Sequence, residues 1–269
     1  MKTASIVTSL ALLAGMSLSG PLAADDALRA AIDDPARDDA RTRDAQRHPY
    51  ETLTFFGIEP GMTVVELSPG GGWYSQILGP YLTATNGKLI AAHVDLESET
   101  TPAFYHDIHA AFMERIADSE RFAAVDVIAW DPPRKPELGE PGSADLVLSF
   151  RSMHGWKRSE VVADVLASAH AVLKRGGVLG IVQHRLPEDG DDSQYTGYVK
   201  QSWVVAMAES NGFRLVEASE INANPNDTAD HPEGVWNLPP SLRNVPDDEQ
   251  DAWRAIGESD RMTLKFVKR

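Results

Sequence analysis

Between Val64 and Leu78 the chain reads VVELSPGGGWYSQIL: an apolar run ending near the acid Glu66, then Ser68, Pro69, three consecutive glycines and a helix-like stretch. Glycine has no Cβ and tolerates positive φ, so at such a junction the backbone itself can lie against a ligand, where a plain tight turn would need fewer glycines. Histidines supply the other candidate chemistry. His154 sits in FRSMHGW between Arg151 and Trp156, His184 beside Arg185 in VQHRLPEDG, and His231 beside Asp230 in DTADHPEGVW. Imidazole titrates near neutral pH, so each could take a proton from a bound molecule, or could simply be a loop histidine bonded to backbone. His184 and Arg185 suit an anionic or hydroxyl-bearing ligand, while Arg185 also has many local carboxylates to pair with.

Other chemistries lack their patterns. Gly70-x-Gly72-x-x is followed by Ser75, so the third glycine of a dinucleotide fingerprint is missing, and no Lys follows to make a P-loop. His106 and His109 share a helix face without the Glu of an H-E-x-x-H site, and EDGDDSQY does not have the spacing of a calcium loop, so no metal is expected. No G-x-S-x-G elbow supports a hydrolase triad.

The elements that must hold these residues alternate. Strands fit Thr63 to Leu67, Lys88 to Val94, Val125 to Ala129, Asp145 to Phe150, Val178 to Gln183, Phe213 to Ala218 and Met262 to Val267. Helices fit Tyr74 to Leu82, a segment carrying Phe104, Ile108, Phe112 and Ile116, Ser159 to Leu173, and Tyr198 to Ser210. Strands separated by helix-length segments predict an α/β fold with a mainly parallel sheet covered on both faces. Residues 222–260, rich in Asn, Asp and Pro, read as an insertion that could fold over a site.

Before this lies Lys2, the apolar run Ala4 to Leu18 and the small-residue stretch SGPLAADDA, the pattern of a secretory signal ending near Ala23 or Ala24. The run is too short to span a bilayer, so the expected location is periplasmic or secreted, with no integral membrane segment in the mature chain. Residues 25–48 are highly charged and read as a polar arm or surface helices ahead of one domain over 49–269. The chain has no cysteine, which excludes disulfides and thiol chemistry, and its net charge of −15 argues against a nucleic-acid partner.

Glu66, Ser68, Gly70 and Gly72, an acid at a strand end followed by small residues at alternate positions, resemble the first motif of class I S-adenosylmethionine-dependent methyltransferases, with Ser68 where many members carry a glycine. The later segments LIAAHVDLE, VIAWDPP, GSADLVLSFRSMHGW, VLKRGGVLGIV and AESNGFRLVEA follow in the family's order. The resemblance covers Pro49 to Ala218 and the final strand. It implies a Rossmann-like three-layer sandwich around a mostly parallel seven-stranded sheet, with S-adenosyl-L-methionine as cofactor. It also implies that Asp95, or less favourably Glu97, holds the ribose hydroxyls and that Asp131, beside Trp130, meets the adenine. Methyl transfer is an in-line displacement, so a base is needed only when the acceptor must lose a proton. His154, His184 and His231 are the candidates for that role, and Tyr74, Arg151, Trp156, Arg185 and Asp230 the candidate acceptor contacts. RHPYETLTFFGIEPGM, the HP..VW.LPP segment and DRMTLKFVKR further resemble a bacterial group of exported methyltransferase-like proteins, a group named by its fold that adds little about the substrate; the leading expectation is a methyltransferase acting on a small or envelope-associated acceptor. An exported, non-catalytic ligand-binding or scaffold protein of the same fold is the alternative.

Overall fold

The computed structural model describes residues 21–99 and 101–269, so most of the expected signal, including the run Ala4 to Leu18, lies outside the described residues. Eight strands form the central sheet: β1 (Thr63–Leu67), β2 (Lys88–Val94), β3 (Val125–Trp130), β4 (Ala144–Phe150), β5 (Leu173–Leu186), the two-residue β6 (Val199–Lys200), β7 (Phe213–Ser219) and β8 (Arg261–Lys268). The main path runs β3-β2-β1-β4-β5-β8-β7, with β6 paired to the end of β5. All pairings from β3 across to β5 are parallel, and β8 runs antiparallel to both β5 and β7. A parallel sheet must be covered on both faces, which is why its strands read as near-continuous apolar runs.

Alternation along each strand divides the core. Val64, Leu89, Leu146 and Leu148 pack with Leu53, Phe56, Ile77, Leu78 and Tyr81 from helices α4 (Pro49–Phe56) and α5 (Ser75–Ala84). Val65, Leu67, Ile90, Val147, Leu179 and Leu264 face the other way, against α8 (Val162–Val172) and α9 (Gln201–Ser210). This is a three-layer sandwich.

The charged segment 25–48 is part of this architecture. It folds into α1 (Pro21–Ile32), α2 (Asp38–Arg41) and α3 (Asp44–Arg47), and Leu28, Ala31 and Ile32 are buried against the α4–α5 face. A few apolar residues at helical spacing suffice, because the surface they cover belongs to a preformed sheet. Arg37 and Arg47 are buried with them.

Elsewhere the expected boundaries shift. The helix expected over Ser159 to Leu173 is α8, and a separate helix, α7 (Met153–Arg158), precedes it in the stretch read as a loop, the two parted where Glu160 takes φ 59. The KRGG turn lies inside a longer β5, where the β4 register jumps from Ala144↔Leu173 to Leu146↔Val178. The insertion contributes a short 3-10 turn, Gly234–Asn237, and α10 (Gln250–Ile256), while α6 (Phe104–Arg115) stands between β2 and β3 in the chain. No helix among the described residues is long and apolar enough to cross a membrane.

Candidate functional site

The carboxyl ends of β1, β2, β4 and β5 open on a cavity of about 890 Å³, lined on one wall by Glu66, Ser68, Gly70 and Gly71 and on another by Arg151, His154 and His184. Ligands of open α/β sheets gather at this edge, outside the strand ends.

The glycine junction builds the first wall. Glu66 sits in the middle of the sheet, between Ala91 of β2 and Leu148 of β4, and is 2 % exposed. Ser75 Oγ donates to its Oε2 at 2.5 Å. Burial pushes this carboxyl up to about 8, against the opposing pull of the Ser75 bond and of Arg151. The backbone then turns through Ser68 (φ 49) and Gly70 (φ 58) in the left-handed region. A Cβ placed on Gly70 would meet nothing within 4 Å, so this residue fronts open space. Gly72 serves packing instead: its Cβ would come within 2.9 Å of the Phe112 ring, and it is Gly71 that reaches the cavity wall. His93 braces the turn, its Nε2 donating to the Gly70 carbonyl at 3.3 Å. That leaves Nδ1, which has no hydrogen-bond partner among the described residues, as the lone-pair nitrogen. Burial, followed by the neighbouring His109, pushes His93 down to about 4, so it is neutral near pH 7.

The Glu66 carboxyl gives a pH prediction. An unfolded Glu titrates near 4.5, so between pH 4.5 and 8 the folded chain binds a proton that the unfolded chain does not. This contribution to stability is therefore full at low pH and declines as pH rises toward 8. Glu66→Gln, which mimics the protonated carboxyl, is expected to match the parent near pH 4.5 and to exceed it by about 1–3 kcal/mol near pH 8.5. Urea melts of both proteins across this range measure the difference, and parallel stability curves would mean that Glu66 is ionised in the folded chain.

At the nucleoside end expected from sequence, Asp131 and Trp130 line the cavity, and the buried Trp130 indole N–H has no hydrogen-bond partner among the described residues. Asp131 is bonded to Arg134, with the Arg134 Nε donor 2.8 Å away. Asp95 follows β2 as expected but is engaged: Lys135 Nζ lies 2.6 Å from its Oδ2, and the Glu97 backbone N–H donates to its Oδ1. These bonds, led by the one from Lys135, hold its carboxyl below the usual range. Glu97 itself is exposed.

The opposite wall gathers most of the expected acceptor contacts. Tyr74 stacks on Phe150 with ring centroids 3.5 Å apart, and Trp156, Tyr74 and Arg151 all line the cavity. His154 and His184 stand with ring centroids 5.6 Å apart. Burial lowers both, His154 to about 4, with Arg151 adding to the effect in each case, so both rings are neutral near pH 7. The amide of Gln183 is oriented by two backbone bonds, accepting from Met153 N–H at 3.1 Å and donating to the Gly197 carbonyl at 3.0 Å. Its Nε2 faces His154 Nδ1 at 3.4 Å, so Nδ1 accepts and the His154 proton resides on Nε2. His184 Nδ1 is paired with the Ser259 hydroxyl.

Asp95 and Glu97 are not among the residues that line the cavity, and three further candidates lie away from it. His231 is 9 % exposed, with Nε2 2.8 Å from Asp227 Oδ1 and its ring against Trp253. Asp227 also accepts from Tyr198 and from the Asp260 backbone, so this group pins the insertion to the domain. Asp230 bonds to Thr228, and Arg185 forms two-point pairs with Glu220 and Asp260. From the insertion it is Trp236 that reaches the cavity.

The sequence reading did not include the arginines that complete this wall. Arg43 and Arg47, from the charged segment, line the cavity, and both bond to Glu258 at the far end of the insertion. Arg261 Nη1 donates to the same carboxylate at 3.2 Å. Burial tends to raise the Glu258 carboxyl, but Arg47, Arg261 and Arg43 together outweigh it and hold it at about 2. The pair of arginines at i and i+4 in RDAQRHPY was the available signal; their partner, more than 200 positions later, was not legible.

No protein-family model and no curated protein matches the sequence. Solved structures do match in shape. A SAM-dependent methyltransferase from Aquifex aeolicus aligns with a TM-score of 0.55 at 15 % identity, over 91 % of this chain and 98 % of its own. Geranyl diphosphate C-methyltransferase from Streptomyces coelicolor aligns at 0.57 and 15 %, over 90 % of this chain and 88 % of its own. The [4+2]-cyclase SpnF aligns at 0.56 and 13 %, over 83 % and 81 %. At these identities the likeness speaks for architecture, and its result is definite: the chain has the mixed α/β, Rossmann-like fold of the class I SAM-dependent methyltransferases.

Proposed function

We propose that the protein is an exported S-adenosylmethionine-dependent methyltransferase acting on a small or envelope-associated acceptor. The observation that carries this reading is the first strand-to-helix turn, where Ser68 and Gly70 take left-handed backbone at the wall of the 890 Å³ cavity and leave open space where side chains would intrude. The residues present suit the cofactor in part: Ser68, Gly70 and Gly71 offer backbone for close approach, and Asp131 and the unpartnered Trp130 N–H suit an adenine, while Asp95, the ribose acceptor that the resemblance implies, does not line the cavity and is engaged by Lys135. When bound, the cofactor supplies an electrophilic methyl group on a sulfonium.

The protein's own part is positioning and proton handling. Tyr74, stacked flat on Phe150, and Trp156 give a rigid apolar wall against which an acceptor can be aligned. His154, with its proton on Nε2, is arranged to donate a hydrogen bond rather than to take a proton. His184, equally neutral and beside the same cavity, is the candidate base in the tautomer whose Nδ1 donates to Ser259 Oγ, which leaves Nε2 free to take a proton. Export is supported by Lys2, the apolar run Ala4 to Leu18 and the absence of cysteine.

A second reading, a ligand-binding protein that does not transfer methyl groups, is favoured by one observation: Lys135 already neutralises the carboxylate expected to receive the ribose. Calorimetric titration with S-adenosylhomocysteine tests both. Asp95→Ala is expected to weaken binding about 10- to 100-fold by removing a charged acceptor, whereas Lys135→Ala frees that acceptor and is expected to tighten binding several-fold. If Asp95→Ala binds as the parent does, the ribose assignment fails; if the parent does not bind at all, the second reading replaces the first.

A further inference from the structure

The walls of the cavity differ in charge from the rest of the molecule. The chain carries a net charge of −15, yet Arg43, Arg47, Arg151 and Arg261 converge around one carboxylate, Glu258. Of the two acids that line the cavity, Glu66 is held neutral near pH 7 by burial and Asp131 is paired with Arg134. The cluster is therefore short of anions.

The shortage is visible atom by atom. Arg47 is 1 % exposed and bonds to Glu258 only through Nε; its Nη1 and Nη2, and Nη2 of Arg43, are buried without hydrogen-bond partners among the described residues. Arg151 enters the cavity from the end of β4 with left-handed backbone (φ 61), and its guanidinium makes no hydrogen bond among the described residues. Burial, and repulsion from Arg261 and Arg43, lower Arg151 to about 10. Arg47 is pulled well down by burial first and then by repulsion from Arg151, Arg43 and Arg261. Buried donors without acceptors cost stability, so several in one place mark a spot where an acceptor from solution, such as an anion, would be stabilising. Arg261, by contrast, has its donors satisfied by Glu258, Ser259 and Gln46, and serves as scaffold.

We propose that Arg43, Arg47 and Arg151 form a subsite for the anionic oxygens, phosphate or carboxylate, of the methyl acceptor. The guanidinium forks suit oxyanions with several lone pairs. The set holds more open donors than the single carboxylate of an amino-acid moiety would use, and Arg151 stands on the same wall as His154 and His184. This specifies the acceptor of the activity proposed above and rests on that reading, but anion binding can be measured without it.

The probe is inorganic phosphate, titrated at low ionic strength into the protein alone and into protein saturated with S-adenosylhomocysteine. The expected result is phosphate binding in both titrations, weakened at least 10-fold in Arg151→Gln and unchanged in Arg214→Gln, an exposed arginine on β7 that corrects for net charge. Circular dichroism and melting checks on Arg151→Gln separate lost binding from lost fold, and Arg151→Lys should recover part of the affinity. Phosphate that binds the free protein but is expelled by S-adenosylhomocysteine would overturn the assignment, giving the arginines to the cofactor's own carboxylate. Absence of phosphate binding to the free protein would overturn it as well. If S-adenosylhomocysteine fails to bind while Arg151-dependent phosphate binding persists, the anion subsite stands and the methyltransferase reading alone falls.

Discussion

Glu258→Ala is expected to cost about 3–5 kcal/mol of folding stability, the scale for removing one partner of a buried ion pair. The residue is 6 % exposed and is bonded by Arg43, Arg47 and Arg261, so its loss leaves three guanidiniums facing one another with no counter-charge. For a chain of this size the loss corresponds to a melting shift on the order of 6–20 °C. Because the folded carboxyl sits at about 2 and an unfolded Glu near 4.5, its contribution is fully present above pH 4.5 and is lost as pH falls toward 2. Denaturant melts should show parent and Glu258→Ala converging in stability over that acidic window. A loss below 1 kcal/mol at pH 7 would mean that the arginines are neutralised by something else. Added phosphate is expected to restore part of the melting temperature of the variant, since it would stand in for the missing carboxylate.

Gly234→Ala is expected to be nearly as severe, about 2–4 kcal/mol, from overpacking together with forced left-handed backbone. The new Cβ would lie 2.0 Å from the Thr196 carbonyl oxygen, at φ 61, so backbone must move rather than a side chain. The damage has a route to the cavity. Trp236 lies two residues on, and Thr196 adjoins Gly197, whose carbonyl orients Gln183 and through it His154. Hydrogen exchange should speed up over residues 193–198 and 231–238 before the rest of the domain. Unchanged exchange there, with unchanged stability, would show that these two segments are not packed as described.

The sequence disclosed the sheet and the glycine turn because both depend on local composition. Strands such as LIAAHV and DLVLSF are apolar on both faces, as buried parallel strands must be, and Gly70 takes the left-handed backbone (φ 58) that the turn into the cavity requires. What it concealed depends on partners distant in the chain. Arg43 and Arg47 look like solvated charges until Glu258 is folded against them, and Arg185, expected to pair with some carboxylate, finds that its partners are Glu220 and Asp260, 35 and 75 positions away. His231 reads as a candidate base, but Asp227, four residues earlier, makes it a fastening of the insertion. Lys135 hides in a proline-rich turn and reveals itself only by capping Asp95. Composition gives the charge of these residues, and the fold decides which of those charges are spoken for.

The place of β8 between β5 and β7 bears on the order of assembly. It follows every other strand in the chain, so during synthesis β7 has no neighbour to join and β5 keeps an open edge until the final segment emerges. The same segment carries Glu258 and Arg261, so the cationic wall is also left unneutralised until then. Non-local closure of this kind slows folding. Under the export proposed above, such a delay would favour an unfolded chain during transit and leave completion to the far side.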